Sequence, residues 1–413
     1  MNKIKKITSK TLIVTVDISK NKHNGYYRTI GDESIRPCEF KNTKKGFDQF
    51  WQKIMKYKKE HNLEGILFGC ESTGSYGFPI MQYMKEKGAE VVQVNPKHVK
   101  RIKEITDNSP NKTDNKDPRV IADVLLLGRY LQVNLPEGMI ADLRCKVQFR
   151  ENLVEDISRI KNRLEGLIAQ FFPEFLAIIK GFKSKTSIYI LENYPEPSKL
   201  ARLDLDGFIR ELKKVSRGKI KGSTAKDLIY YSQNTVGLKE GVSGYGDQVK
   251  CYIEQLKFLN QQLKEKEVEI EAILKEISIS KLILSIKGIG KITVGIILSE
   301  IVDFSNFSVI PEILKYAGLN LYEISSGRHK GQRRISKRGR ALLRKALYYA
   351  SLNLIRKGGV FHEDYKRLLS NGIKPIKAMV AISIKLLRVI FAMVRDNKEF
   401  EFKKNVLNMK MAA

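Results

Sequence analysis

Leu12-Ile13-Val14-Thr15-Val16-Asp17 is an apolar run that stops on a carboxylate, and Ile66-Leu67-Phe68-Gly69-Cys70-Glu71 repeats the pattern. Short apolar runs bounded by polar and turn residues read as buried strands. Strand signals fall at Thr11–Asp17, Tyr26–Ile30, Glu64–Cys70 and Glu90–Val94. Helical patterns fall at Lys44–Glu60, Pro79–Lys87 and Arg119–Tyr130. Alternating strands and helices predict an α/β layer structure for the first third of the chain. Ligands of open α/β sheets bind at strand ends, which is where Asp17 and Glu71 fall. Gly69, Gly74 and Gly77 allow a tight turn around Glu71. Asp114 and Asp117 lie three apart beside the first turn of the last helical pattern. Four carboxylates at strand ends and one helix start suit a hard divalent cation that prefers oxygen ligands.

The rest of the composition points to a polyanion. The 413 residues carry 75 Lys plus Arg against 45 Asp plus Glu, a formal net charge of +30. An excess of this size implies a nucleic-acid partner, the plainer alternative being a lysine-rich solvated surface. An acidic site within a basic protein suggests metal-assisted phosphodiester chemistry. Cys38, Cys70, Cys145 and Cys251 form no CxxC or other close metal spacing and read as reduced thiols. The basic N-terminus lacks a signal-peptide core, and no apolar stretch is long enough to span a bilayer. A cytoplasmic or nucleoid-bound protein is expected.

Beyond residue 141 the pattern becomes helical. Leu153, Ile157, Ile160, Leu164, Leu167 and Phe171 make a heptad seam over 142–172. Val249, Leu256, Leu263, Ile270 and Ile277 recur every seven residues over 246–280. Such segments pair as an antiparallel hairpin within one chain or as a coiled coil with a partner chain, and periodicity does not distinguish the two. Residues 173–245 between them read as a helical insertion. At 284–291, Ile286-Lys287-Gly288-Ile289-Gly290-Lys291 has the form of a helix-hairpin-helix turn, which offers backbone N–H groups to phosphate, or of a plain helix–helix turn. Helices follow at 340–355 and 373–395, and a polar tail at 396–413.

Ser325-Ser326-Gly327 opens the most cationic stretch: Arg328, Lys330, Arg333, Arg334, Lys337, Arg338, Arg340, Arg344 and Lys345, with no Asp or Glu between Glu323 and Glu363. That is a phosphate-contact footprint. Lys287 and Lys291 extend the candidate nucleic-acid contacts. Ser325 or Ser326 is a candidate nucleophile if a base or metal activates its hydroxyl, and the tripeptide reads equally as a turn.

Two blocks of motifs carry a resemblance to a known family. The first holds Val16-Asp17-Ile18-Ser19-Lys20, Glu71-Ser72-Thr73-Gly74, Val94-Asn95-Pro96 and Lys112-Thr113-Asp114-Asn115-Lys116-Asp117. The second holds Ile286-Lys287-Gly288-Ile289-Gly290, Tyr316-Ala317-Gly318-Leu319, Ser325-Ser326-Gly327 and Ile335-Ser336-Lys337-Arg338-Gly339. In this order they resemble the DEDD transposases of the IS-one-ten insertion-sequence family, the bridge-RNA-guided recombinases. The resemblance implies a RuvC-like (RNase H fold) domain over 1–141 and a coiled-coil segment over 142–280 with the insertion 173–245. It implies a mainly helical transposase domain over 281–395. Asp17, Glu71, Asp114 and Asp117 would then hold Mg²⁺ (or Mn²⁺). The serine nucleophile maps to Ser326, with Ser325 as the alternative, although Arg328-His329 replaces the family's usual Gly-Lys after Ser-Gly. Asp117 is followed by Pro118 where the family usually has Ala, and proline is at home in a first helical turn. The implied partners are donor and target DNA, a structured guide RNA, and further copies of the chain in a homodimer or homotetramer. Two other readings remain at this level: a hydrolytic RuvC-like nuclease of the junction-resolvase type, which needs only the acids and water, and a non-catalytic nucleic-acid-binding protein.

Overall fold

The structure is a computed structural model. It describes residues 7–32, 34–71, 74, 76–106, 117–182, 184–323, 325–326, 329–330 and 333–401, with backbone alone at 106, 132, 325–326 and 329–330. Asp114 and Arg328, both expected at functional sites, lie outside the described residues, as does most of the tail. The chain divides into two compact units, one of residues 1–136 and 302–316, the other of 137–301 and 317–413.

The first unit is built on a six-stranded mixed sheet. Its strands are β1 (Thr11–Asp17), β2 (Lys22–Arg28), β3 (Cys38–Lys41), β4 (Gly65–Glu71), β5 (Glu90–Val94) and β6 (Tyr130–Gln132), in the order β3-β2-β1-β4-β5-β6. β1, β2 and β3 form an antiparallel meander, β1, β4 and β5 run parallel, and β6 closes the edge antiparallel to β5. Helices α1 (Lys44–Glu60), α2 (Phe78–Glu86), α3 (Pro96–Thr106) and α4 (Asp117–Leu126) connect them. Leu12, Ile13, Val14 and Val16 are all fully buried, because β1 is covered on both faces, and this is why it reads as a continuous apolar run. Leu12, Val14, Val16, Phe68 and Cys70 pack with Phe47, Phe50 and Ile54 of α1 and Ile80, Met81 and Met84 of α2. On the opposite face Ile13, Leu67, Val92 and Val94 pack with Val120, Ile121, Val124 and Leu125 of α4.

Three expectations shift here. The second strand is Lys22–Arg28 rather than Tyr26–Ile30, because Asn24 pairs with Asp17 and Arg28 with Ile13. Its polar start conceals a core position: His23 is buried and stacks on Phe47. The last helix of the unit begins at Asp117, ahead of the expected Arg119, with the acid in its first turn. β3, β6 and α3 are present without having been anticipated, the strands being too short to show a period.

The second unit is helical. Its two long members, α5 (Gly138–Phe171) and α11 (Val242–Glu276), pack along each other within the one chain, so the heptad seams at 153–171 and 249–270 face one another internally. Between them lie α6 (Pro173–Ile178), α7 (Lys185–Asn193), α8 (Pro197–Leu200), α9 (Leu205–Ser216) and α10 (Gly222–Gln233). Phe175, Ile190, Phe208, Leu212, Ala225 and Leu228 of this insertion share a core with Leu164 and Phe171 of α5 and Val249 and Leu256 of α11. The chain continues through α12 (Ser278–Leu284) and α13 (Lys291–Ile301), returns to the first unit for α14 (Ile310–Ala317), whose last residue re-enters the second, and then forms the two-residue strands β7 (Leu321–Tyr322), β8 (Ser325–Ser326), β9 (His329–Lys330) and β10 (Arg334–Ile335). It ends in α15 (Ala341–Leu354), α16 (His362–Ser370) and α17 (Pro375–Asp396). Buried Glu151 of α5 accepts from Arg150 at 2.6 Å and from Lys345 of α15 at 2.7 Å, and Arg150 also reaches Glu267 of α11 at 2.9 Å. This network ties three helices together. None of the described helices is long and apolar enough to cross a membrane.

Candidate active site

The parallel register of β1 on β4 sets Val16 beside Cys70, so Asp17 and Glu71 are the next residues on neighbouring strands at the same sheet end. Side chains alternate along a strand. Val16 and Cys70 belong to the α1–α2 face. Asp17 and Glu71 therefore fall on the other face, with Ile13, Thr15, Leu67 and Gly69. That is the face α4 covers. Thr15 Oγ1 donates to the Pro118 carbonyl at 2.6 Å, which fixes the first turn of α4 against β1. Asp117 opens that turn, where the helix dipole favours a carboxylate. Asp17 and Glu71 thus share one end of one sheet face, and Asp117 opens the helix that packs on that face.

The side chains themselves do not close into a ligand cage. Among the described residues no group of three or more His, Cys, Asp or Glu stands in ligating arrangement. The Asp117 carboxylate is mostly buried and ion-paired with Lys103 Nζ of α3. Sequence reasoning missed Lys103 because it missed α3. The signal was Asn95-Pro96, a helix start in which Asn95 Oδ1 accepts from the Lys97 backbone N–H at 2.9 Å. The residues present fit a hard divalent cation. The donors are carboxylate oxygens, and one of them already binds an ammonium cation. The soft ligand nearby is withheld, since Cys70 faces the other core and burial pushes its thiol up to about 12.

The expected phosphate contacts are placed as follows. Lys287 is exposed between α12 and α13, in a turn where Gly288 has φ of +106°. Lys291 opens α13 and pairs with Glu271 at 2.7 Å. Arg333 pairs with Glu323 at 3.1 Å, while Arg334, Lys337 and Arg338 are exposed and Arg340 caps α15. β8 and β9 pair with Ser325 opposite Lys330 and Ser326 opposite His329. Two sequence motifs meet at the end of the β7–β10 pair. Ser336 N–H donates to the Asn320 carbonyl at 2.9 Å, Lys337 N–H to the Gly318 carbonyl at 3.0 Å, and Arg344 Nη1 to the Ala317 carbonyl at 2.7 Å. Gly318 has φ of +70°, and a Cβ there would stand 3.0 Å from the Arg338 carbonyl carbon and oxygen, so only glycine fits.

Two family models match the chain. Residues 14–173 match a DEDD-type IS110 profile described as Transposase, and residues 280–366 match one described as Transposase IS116/IS110/IS902 family. The chain is 21% identical to the insertion element IS110 43.6 kDa protein of Streptomyces coelicolor over 389 residues, 94% of each chain. It is 23% identical to the insertion element IS116 44.8 kDa protein of Streptomyces clavuligerus, over 82% of this chain and 84% of the relative. It is 24% identical to the insertion element IS900 42 kDa protein of Mycobacterium paratuberculosis, over 69% and 72%. The two profiles cover the sheet unit's acids and the serine-bearing strand β8, and the chain belongs to the IS110 family of insertion-element transposases, enzymes whose substrate is DNA.

Proposed function

We propose that this transposase cuts and rejoins DNA through a serine–phosphate ester, with a structured RNA choosing the sequences. The observation that carries the catalytic half is the register of β1 on β4, which delivers Asp17 and Glu71 together to the face where α4 begins with Asp117. The meander β3-β2-β1 joined to parallel β4 and β5 supports a RuvC-like, RNase H-type unit. Asp17, Glu71, Asp114 and Asp117 would hold a divalent cation, Mg²⁺ or Mn²⁺. When bound, such an ion polarises the scissile phosphate and lowers the pKa of an attacking hydroxyl.

Ser326 supplies that hydroxyl, with Ser325 as the alternative. Its Oγ–P bond forms as the P–O3′ bond breaks. The hydroxyl proton passes to solvent, and the departing 3′ oxygen takes one up. The phosphoserine ester conserves the bond energy for rejoining. Arg334, Lys337 and Arg338 hold phosphate and offset its charge. Base pairing by the RNA supplies sequence choice while the protein reads backbone and shape. Exposed Phe149, Phe258 and Val268 on α5 and α11 support assembly into a dimer or tetramer through the long helices.

The test is a covalent trap. Denaturing gels should show a protein–DNA adduct with the native chain, no adduct with Ser326→Ala, and no cleavage with Asp17→Asn. Cutting and rejoining by Ser326→Ala would overturn the nucleophile. Cleavage with no adduct in any variant would favour plain hydrolysis.

A further inference from the structure

Six cations fall between Lys213 and Lys226 with no Asp or Glu among them: Lys213, Lys214, Arg217, Lys219, Lys221 and Lys226. All six are exposed, and none has an ion-pair partner among the described residues. Some other surface lysines of the unit are ion-paired, as Lys199 is with Glu196 and Lys291 with Glu271, but Lys180, Lys185 and Lys239 are single exposed cations, so what sets 213–226 apart is its density of charge. Arg217 and Gly218 are left-handed, at φ of +53° and +76°, and Gly218 N–H closes α9 by donating to the Lys213 carbonyl at 2.8 Å.

Local electrostatics accounts for only part of this patch. Lys213 and Lys214 sit in the last turn of α9, where the helix dipole favours cations. Lys219 and Lys221 sit just before α10, at its positive end, where the dipole disfavours them. Lys221 is its N-cap and makes no side-chain capping bond. Along α10, Ser223, Lys226 and Tyr230 share the exposed face, opposite buried Ala225 and Leu228. Tyr230 is 58% and Tyr231 40% exposed, with rings 5.2 Å apart and nearly perpendicular. Asp227, the first acid after the run, lies beside Lys226. Exposed aromatic rings next to unpaired cations combine a base-stacking platform with a backbone track.

We propose that the α9–α10 turn and the exposed face of α10 form a binding surface for unpaired nucleotides, separate from the basic segment around Arg334–Arg338. The six cations hold the phosphates, and Tyr230 and Tyr231 stack on bases. The inference rests on the transposase reading only for the presence of a polynucleotide partner. The covalent trap tests that reading by chemistry, and the present test reads binding alone.

Full-length protein is titrated, by fluorescence anisotropy, against labelled oligouridine, oligothymidine of equal length, and a duplex. Lys219→Ala/Lys221→Ala/Lys226→Ala should weaken single-strand binding about tenfold or more and flatten the log K against log [salt] slope by about 2. Tyr230→Ala/Tyr231→Ala should weaken it about tenfold at an unchanged salt slope, with the duplex unaffected. Circular dichroism should match the native chain in both variants. The tighter of the two single strands identifies the source as RNA or DNA. Unchanged affinity and slope in the lysine variant overturn the proposal, as does an equal loss on the duplex in the tyrosine variant.

Discussion

Replacing Gly69 with alanine tests the placement of α4, on which the grouping of the acids depends. A Cβ on Gly69 would stand 2.6 Å from Leu125 Cδ1 and 3.1 Å from Cδ2. Leu125 is fully buried, so the clash is relieved only by repacking it or by lifting α4. Overpacking of this kind costs about 1–3 kcal/mol. Removing a strand glycine returns about 0.5–1 kcal/mol. The difference is a net loss of about 0–2.5 kcal/mol, centred a little above 1. Trp51, the only tryptophan, lies on α1 in the sheet unit, so urea unfolding followed by its fluorescence reports that unit alone. With a slope of about 1–3 kcal/mol/M the midpoint should fall by roughly 0.5–1 M. Leu125→Ala alone should lose about 2–5 kcal/mol by leaving a cavity. In the double variant the new methyl enters space that Leu125 vacated, so the two losses should couple by about 1 kcal/mol. An unchanged or higher midpoint for Gly69→Ala, or strict additivity in the double variant, would mean that Leu125 does not cover Gly69. The packing of the helix that Asp117 opens on the face of Asp17 and Glu71 would then lose its support.

Two further expectations concern charge. Lys103→Met removes the ammonium held by Asp117. Its melting temperature without metal should fall, since a mostly buried carboxylate loses its partner, a loss of about 1–3 kcal/mol. Added Mg²⁺ or Mn²⁺ should raise it further than in the native chain, and an identical metal response would show that Lys103 does not compete for the site. Glu151→Ala unties Lys345 from α5 and leaves Arg150 with Glu267 alone, and should cost the helical unit about 1–3 kcal/mol, read by far-ultraviolet circular dichroism. Burial pushes the Glu151 carboxyl up, but hydrogen bonds and charge from Lys345 and Arg150 outweigh it and hold the group below the ordinary value of 4.5. A lowered folded value means that this stabilisation is full above pH 4.5 and is lost as pH falls through the lower one. Glu151→Gln should therefore flatten the acid limb of the helical melt, and an unaltered limb would assign it to other groups.

The apolar strands and the existence of the two long helices were legible in the sequence, although β4 starts one residue later and α5 and α11 four residues earlier than expected. Thr11–Asp17 and Glu90–Val94 coincide with β1 and β5, and Lys44–Glu60 with α1. Burial on both faces forces a parallel strand to be apolar throughout, and that pattern needs no partner to be seen. The heptads announced α5 and α11 in the same way. β3 and β6, of four and three residues, carry too little sequence to show a period. α3 has few apolar positions to mark it, and Lys103 went unseen with it.

The amino-acid order alone determined which carboxylates end which apolar runs, where charge accumulates, and that two long helices need an apolar partner. It did not determine the partner, because a heptad seam presents the same face to its own chain as to another. Tertiary structure decided that α5 and α11 satisfy each other. It also decided that Val16 aligns with Cys70, which a one-residue slip would have undone by turning one of the acids to the opposite face. Register and helix placement arise from contacts between segments far apart in the chain, and no local stretch encodes them.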